Sequence, residues 1–373
     1  MKFVRLLIVP FALALVLFSR AIARWKLIRF GRTFNFRLGH LIGNNENYLC
    51  ERGIGRQGNC IDLWVDKNVP CAHPLILKKY KQHMTWLPWW FGDVVLKVNK
   101  LFPNWERHIC APECMDRDIN NLWGKPHIGF TEKEELEGQK LLRKLGLEGK
   151  KWVCLFVRDS SYLASRFPNE NYSYHDYRDS DIIACKKAVW AFYHRGYKVI
   201  RMGAKTAKTV DFCLDYANST LRTDFGSLYL GAKCAFAFGT HAGFMSIPQV
   251  FNRPIGIINY VPLEYMPTFA NGIIIWKHHM KDGKQMTVKE IHESGAGIFT
   301  DTRMFEQAGI KLVDNSPDEI LSLAYNMCNF AEGNFYSDDK EFWKSFPRSM
   351  ANGARLHGEI TIRVGHDFIR DYA

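Results

Sequence analysis

The sequence predicts an α/β fold in two domains, with parallel, doubly wound sheets that follow a short hydrophobic N-terminal segment. At 373 residues the chain is long enough for two to three domains. Its 47% apolar and 24% charged residues are an ordinary globular balance, which excludes disorder, collagen and coiled coil as the main architecture. Short apolar runs alternate with helical patterns at βαβ spacing, and this alternation predicts the parallel sheets.

Residues 1–24 are predicted to form a hydrophobic membrane anchor. Residues 6–18 are thirteen apolar residues in a row, fewer than the roughly 20 that span a bilayer. One interpretation is a retained anchor, shallow or just spanning, with the folded domains on the cytoplasmic side because basic residues follow it. The alternative is export after cleavage of a signal peptide, since Ala21 and Ala23 fit a small-x-small cleavage site.

The positive charge of the chain is concentrated at its N-terminus. The formal net charge is +12, and residues 1–45 contain eight Lys or Arg and no Asp or Glu. A nucleic-acid-binding protein more often spreads its basic residues over a folded face. Basic residues beside an apolar segment instead predict attraction to an anionic membrane surface, and no nucleic-acid partner is expected.

The ten cysteines are too few for a disulfide scaffold.

Residues 25–130 are predicted to form the N-terminal domain. A strand over residues 27–30 runs into the turn Arg37–His40 and then a helix, which is how an open α/β domain begins. Residues 61–65 predict a second strand, whereas the rest of 50–125 is hard to assign. The aromatic run 85–91 predicts core packing, and an exposed surface for an acceptor or a membrane is the alternative. Thr131 and Glu134 then predict a capping box for a helix that ends at Gly146.

Residues 131–373 are predicted to form the C-terminal domain, and its first strand, over residues 152–157, carries no polar alternation. Such runs are typical of strands buried on both faces of a parallel sheet. A helix is expected over residues 181–195, with Asp179 or Ser180 as its cap and Gly196 after its end. The predicted strands are residues 152–157, 198–202, 233–239 and 254–259.

Open α/β sheets bind ligands outside the carboxyl ends of their strands, so the residues after each strand are the candidates. They comprise arginines, a glycine-rich loop and carboxylates, which suit phosphates, a base edge and a ribose. The candidates are Arg158, Asp159, Arg201, Gly203, Gly239, Thr240, His241, Gly243 and Glu264. Ser246 is expected to cap a helix after the glycine loop, and that helix N-terminus would be an anion site. The dinucleotide and P-loop fingerprints are absent.

The segment 174–181 is unusually rich in ionisable groups. Arg158 and Arg178 are expected to converge on one anion as bidentate donors. The alternative is that they pair with neighbouring aspartates and brace the loop. Residues 116–118 and 179–181 both match D-x-D, a very weak signal because carboxylates are favoured at a helix start in any case. We therefore predict no metal and no cofactor.

Arg37–His40, VRDSSYL, YHDYRDSDI, GYKVIRMG and FGTHAGFMSIPQVFNRP together resemble a family of bacterial glycosyltransferases similar to the GT-B class. The resemblance implies two Rossmann-like domains that face a cleft. It also implies metal-independent sugar transfer from a nucleotide-activated donor to a surface-polysaccharide or lipid-linked acceptor at the membrane. Arg178 and the strand-end candidates above, apart from Asp159, would bind the donor, whereas Arg37 and Gly39 would bind the acceptor.

A general base, if one is needed, would be His40, His175 or Asp159, and the sequence does not choose among them. Two alternatives stay open for the function itself. The first is a non-catalytic, membrane-docked binding protein on a degenerate Rossmann pair. The second is a polysaccharide pyruvyltransferase-like enzyme.

Overall fold

The computed structural model describes residues 2–66, 70–112, 125–160, 169, 171–204, 208–267, 271–335, 342–343 and 361–370, with side chains from residue 7. The chain divides into two compact units. The first comprises Met1–Cys114 and Pro126–Gly129, and the second comprises Met115–Lys125 and Phe130–Ala373. Each unit contains a parallel sheet, so the prediction of an α/β protein with parallel sheets is confirmed. That the two sheets face a cleft stays a prediction.

The first unit is built on four strands. They are β1 (Leu27–Arg32), β2 (Cys60–Val65), β3 (Thr85–Leu87) and β4 (Ile109–Cys110). The helices are α1 (Lys2–Ala21), α2 (Leu38–Gly53), α3 (Pro74–Lys81) and α4 (Trp89–Asn99). The sheet order is β3-β2-β1-β4 and all pairings are parallel. The chain order therefore reverses beside β1, which is where open α/β sheets place their ligand crevice.

Helix α1 packs into the hydrophobic core of the first unit. Ala12 and Val16 are fully buried, and they belong to one cluster with Val94 and Val95 of α4. Within the described part of the chain, no helix combines the length and the apolar character needed to cross a membrane.

The aromatic run 85–91 divides between two environments. Trp86 packs against Trp64, with 6.4 Å between ring centroids, as core packing predicts. Trp89 and Trp90, in the first turn of α4, remain 37% and 49% exposed. The run therefore supplies both core and surface, because a strand ends and a helix begins inside it.

The second unit is built on a seven-stranded parallel sheet. Its strands are β5 (Trp152–Phe156), β6 (Lys198–Arg201), β7 (Cys213–Asp215), β8 (Phe236–Thr240), β9 (Ile255–Tyr260), β10 (Gly272–Trp276) and β14 (Arg363–Val364). A small antiparallel sheet in the order β12-β11-β13 consists of β11 (His278–Lys281), β12 (Lys284–Gln285) and β13 (Ile310–Val313). The helices are α5 (Glu132–Lys144), α6 (Lys186–His194), α7 (Asp224–Lys233), α8 (Ser246–Val250), α9 (Val288–Glu293), α10 (Thr302–Gln307), α11 (Pro317–Ala331) and α12 (His366–Arg370).

The order of the large sheet is β14-β10-β9-β8-β5-β6-β7. Counted from β5, its first six strands therefore lie in the order 3-2-1-4-5-6, which is the doubly wound arrangement. The direction of winding reverses between β5 and β8. The carboxyl ends of these two strands accordingly flank the topological switch point.

Two predicted helix caps are wrong. Asp181, rather than Asp179 or Ser180, caps the short 3-10 turn before α6 and accepts a hydrogen bond from the amide of Ile183 (3.0 Å). Ser246 lies inside α8, which follows directly on the 3-10 turn Gly243–Met245, and its side chain makes no cap. This five-residue helix therefore does not supply the expected anion-binding terminus. The capping box predicted at residues 131–134 is confirmed.

Candidate anion-binding site at the edge of the large sheet

The ends of β5 and β8 are held together at the switch point. The amide of Arg158 donates a hydrogen bond to Oγ1 of Thr240 (2.8 Å), which is buried. Gly239 adopts φ +136°, and a Cβ atom there would lie 1.9 Å from the carbonyl oxygen of Phe156. Only glycine permits both the backbone conformation and the close approach of the two strands. Gly239 therefore shapes the edge by its contact with the neighbouring strand.

The Arg158 side chain braces the loop before α6. Its guanidinium forms an ion pair with Asp179 and donates to the carbonyl oxygen of His175 (3.0 Å). Burial lowers the pKa of Arg158, and burial likewise raises the pKa of Asp179. Both charges are thus partly desolvated, so each depends on the other. The geometry of Arg158 matches the bracing alternative of the sequence analysis.

Arg178 differs from Arg158 in its charge environment. One Nη atom donates to the carbonyl oxygen of His241 (2.8 Å). In the described residues, no carboxylate lies within 4.0 Å of the Arg178 nitrogens. A carbonyl oxygen does not neutralise a guanidinium, so the positive charge of Arg178 remains available to an anion at this edge.

His241 supplies a neutral ring beside that cation. Burial, reinforced by the nearby Arg178 charge, lowers the pKa of His241 to about 4. Its ring lies 5.5 Å from the ring of Tyr260, between centroids. The imidazole is therefore uncharged at neutral pH and does not compete with Arg178 for an anion.

Arg201 at the end of β6 is the most deeply buried cation of the edge. Its side chain is 1% exposed, and none of its three nitrogens has a hydrogen-bond partner in the described structure. The nearest carboxylate, on Asp159, is 3.8 Å away, and burial lowers the pKa of Arg201. Burying a charged group without hydrogen bonds is costly, so these donors call for a polar partner such as an anion or ordered water.

Gly203 follows two residues later. It adopts φ +138°, and its carbonyl oxygen accepts from Nε of Arg222 (2.8 Å). The turn after β6 therefore brings a second arginine towards the same end of the sheet.

Lys277 is a functional candidate that the sequence analysis missed. It follows β10, is 4% exposed, and donates from Nζ to the carbonyl oxygen of Asp179 (2.8 Å). The same Nζ lies 2.8 Å from Oδ1 of Asp314. The sequence contains the relevant signal, because Lys277 follows an apolar run as Arg158 does, but the predicted strands do not include residues 272–276.

Glu264 lies beside another side chain rather than at an open edge. Its Oε1 atom is 2.9 Å from Nδ1 of His292, and the carboxylate is packed against Gly297. Its predicted role towards ribose or sugar hydroxyls stays a prediction. Gly243 begins the 3-10 turn that leads into α8.

Two of the three candidate bases lie near the arginines of this edge. Asp159 is the carboxylate nearest to Arg201, and its side chain is 27% exposed. The carbonyl of His175 accepts from Arg158, and the His175 ring packs against Tyr174 at 4.1 Å between centroids. The structure brings both residues to the neighbourhood of Arg158, and their catalytic roles stay predictions.

The predicted acceptor residues belong to the first unit. Arg37 precedes α2 with extended backbone and lies over the ring of Phe36 at 5.9 Å. Gly39 is in the first turn of α2, and Nδ1 of His40 lies 3.4 Å from Oδ1 of Asn44. Their roles towards an acceptor also stay predictions.

The carboxylates of the 179–181 D-x-D sequence contact different cations. Asp179 pairs with Arg158, and Asp181 lies 2.7 Å from Nζ of Lys208. Residues 116–118, the other D-x-D, lie outside the described residues.

One group of three side chains in the described ranges could hold a metal ion, namely Glu46, Cys50 and His127 of the first unit. Their donor atoms lie within 4.8 Å of one another. Glu46 already accepts hydrogen bonds from His127 Nδ1 (2.8 Å) and from the Tyr80 hydroxyl (2.9 Å). These bonds account for the buried carboxylate without a cation.

No protein-family model matches the chain, and no curated protein matches it. Among solved structures, the chain is similar to a glycosyl transferase family 9 protein from Veillonella parvula DSM 2008, with 12% identity, a TM-score of 0.46 and coverage of 82% of this chain and 97% of that one. It is also similar to the ADP-heptose heptosyltransferase II of E. coli, with 12% identity, a TM-score of 0.40 and coverage of 69% and 92%. The E. coli heptosyltransferase WaaC with ADP follows at 10% identity, a TM-score of 0.32 and coverage of 72% and 99%.

Proposed function

We propose that this chain is a metal-independent glycosyltransferase. It moves a sugar from a nucleotide-activated donor to a surface-polysaccharide or lipid-linked acceptor. The proposal rests on the carboxyl edge of the large sheet. Among the described residues, Arg178 has no carboxylate within 4.0 Å and the nitrogens of Arg201 have no hydrogen-bond partner. Arg201 ends β6, and Arg178 contacts the residue that directly follows β8, so both belong to the edge that contains the topological switch point. Doubly wound sheets bind nucleotides at such a point.

The donor diphosphate is the group that this edge suits best. As a sugar leaves its nucleotide, negative charge develops on the diphosphate oxygen that departs. Guanidinium groups fixed beside that oxygen stabilise the transition state without reorganising when the bond breaks. Arg178 contributes its available charge, and the buried Arg201 contributes donors that make no hydrogen bond within the described part of the chain.

The paired residues hold Arg178 in position. Arg158 and Lys277 both bind Asp179, the first at its carboxylate and the second at its carbonyl oxygen. The residue directly before Asp179 is therefore fixed from two sides. A rigid supporting shell of this kind is what a precise binding site requires.

The acceptor hydroxyl loses its proton as its oxygen bonds to the donor sugar and the nucleoside diphosphate leaves, and in an inverting reaction a general base takes up that proton. Asp159 and His175 are near the edge arginines, and His40 belongs to the first unit. A general base must come within hydrogen-bond reach of the acceptor hydroxyl, so a bound acceptor decides among the three.

The first test is ligand-induced thermal stabilisation of the full chain. Nucleoside diphosphates at about 100 times their Kd should add about 2.7 kcal/mol of stability. For a unit of this size that corresponds to a rise in Tm of about 5–11 °C. At the same nucleotide concentration, the stabilisation should shrink to about 0.3–1.4 kcal/mol in Arg178→Ala, because its affinity falls about 10- to 150-fold. It should persist in Arg195→Ala, whose arginine pairs with Glu332 on an exposed surface. A response to phosphoenolpyruvate alone would instead indicate pyruvyl transfer.

The second test detects the product. The chain is incubated with a panel of nucleotide sugars and membrane extract, and mass spectrometry searches for a glycosylated acceptor. Nucleotide binding without any product across the panel would support a non-catalytic binding protein and overturn the proposal.

A further inference from the structure

Helix α1 has apolar residues on two opposite faces, and the first unit buries only one of these faces. Ala12 and Val16 face the core. On the opposite side Leu7 is 74% exposed, Phe11 71% and Phe18 55%. These three residues recur at one face of a helix, so they form a continuous apolar stripe. A surface of this kind marks an interaction site, because isolated soluble domains rarely expose contiguous apolar patches.

The helix is fixed to the domain at its C-terminal end. Arg20 donates to the carbonyl oxygen (3.3 Å) and to Oδ1 (2.9 Å) of Asn99, and its guanidinium lies 4.7 Å from the ring centre of Phe102. The exposed Trp25 and Leu101, at 69% and 81%, adjoin this end. Because α1 packs along α4, the apolar stripe faces away from the core. The axis of α1 therefore lies along the surface of the first unit.

The charged residues around the stripe indicate what kind of partner binds to it. Residues 1–45 contain no Asp or Glu, and the exposed Arg24 lies over the ring of Trp25 at 5.1 Å. Lys97 and Lys100 of the adjoining segment are also exposed. A second copy of the chain would place these like charges against each other in a symmetric contact. Anionic lipid headgroups complement them, and aromatic side chains at the margin suit the bilayer interface.

We infer that the apolar stripe of α1, with Trp25 and Leu101, docks the first unit onto an anionic bilayer with the helix in the plane of the interface. This inference does not rest on the proposed glycosyltransferase activity. It differs from a spanning anchor, since only one side of α1 meets lipid. An in-plane amphipathic helix buries its apolar face about 5–10 Å below the headgroups.

The first experiment measures partition of the full chain onto vesicles of phosphatidylcholine, with or without 30% phosphatidylglycerol (about one charge per three lipids). Phe11→Ser/Phe18→Ser should lower partition at least about 100-fold, at about 10-fold or more per phenylalanine. The matched control is Leu136→Ser/Phe212→Ser, which removes two side chains that are 65% and 57% exposed in the second unit. Binding should also weaken at high salt and on neutral vesicles.

Equal partition of the two double variants would overturn the inference, as would equal binding to neutral and anionic vesicles. Light scattering in solution tests whether the stripe binds a second copy of the chain instead. A dimer that only the Phe11→Ser/Phe18→Ser variant converts to a monomer would assign the stripe to self-association instead.

The second experiment distinguishes an in-plane helix from a spanning one. A genetically encoded fluorescent amino acid is placed at position 11 or 18, and lipid quenchers at known depths report its position. The two sites are seven residues apart, about 10 Å along a helix axis. Equal, shallow depths support in-plane docking. A depth difference near 10 Å would overturn it. Sugar transfer is measured separately, so failure here leaves the proposed activity standing.

Discussion

Arg178→Ala is the substitution that most directly tests the anion site. Within the described residues, the side chain makes one hydrogen bond, to the carbonyl oxygen of His241 (2.8 Å). A single hydrogen bond from a charged donor to a neutral carbonyl is worth about 1.5 kcal/mol to folding. Its loss should therefore lower Tm by about 3–6 °C. A charge-assisted hydrogen bond to the donor diphosphate is worth roughly 1.5–3 kcal/mol. Donor affinity and kcat/KM should accordingly fall about 10- to 150-fold.

Arg158→Ala should show the opposite pattern, with a larger loss of stability than of donor affinity. Arg158 is 13% exposed and pairs with Asp179, which is 23% exposed. Removing one member of a largely buried pair leaves the other charge desolvated, at a cost of about 3 kcal/mol. This corresponds to a fall in Tm of about 6–12 °C. Arg158→Ala/Asp179→Asn should recover at least half of that loss, because no buried charge then lacks a partner.

The assay is a titration of the nucleotide against each purified variant, with melting temperature measured on the same samples. Arg178→Lys should restore binding only in part, since lysine keeps the charge but lacks the planar fork. Arg195→Ala serves as the surface control. The reasoning is refuted if Arg178→Ala binds the nucleotide within threefold of the wild type, or if its melting temperature falls as far as that of Arg158→Ala.

Three further outcomes follow from the described contacts. Burial lowers the pKa of His279 to about 4, below the usual 6.5 of a histidine. Between pH 6.5 and 4 the unfolded chain therefore binds more protons than the folded chain. The free energy of unfolding contributed above pH 6.5 is accordingly lost as the pH falls through this range. Denaturant unfolding at pH 7.5 and 5 should show that loss to be about 2 kcal/mol smaller in His279→Gln, and parallel pH profiles would contradict the assignment. Gly239→Ala should destabilise the chain by about 3 kcal/mol or more, whereas Gly149→Ala, with open space around its Cβ position, should cost about 1 kcal/mol, as chemical denaturation would show. Transfer activity should survive EDTA because Asp179 already pairs with a cation; activity lost in chelator and restored by manganese would make this carboxylate a metal ligand.

The local elements could be predicted from the sequence because their causes are local. The apolar run at residues 152–157 and the capping box at 131–134 both depend on side chains only a few positions apart. The caps at Ser180 and Ser246 were mispredicted for a tertiary reason. Ser180 accepts a hydrogen bond from Asn259, 79 residues away, and α8 continues a turn that the sequence does not mark.

The class of the fold, the arginines at the strand ends and the basic, apolar N-terminus could all be predicted from the order of the residues. The tertiary structure shows which arginine is paired and which is available, because Arg158 contacts Asp179 across 21 positions and Arg178 contacts a carbonyl oxygen 63 positions away. It also decided that α1 is a domain helix. The hydrophobic effect removes an apolar segment from water without specifying its partner, and packing against Val94 and Val95 provides that partner for the face of α1 that contains Ala12 and Val16.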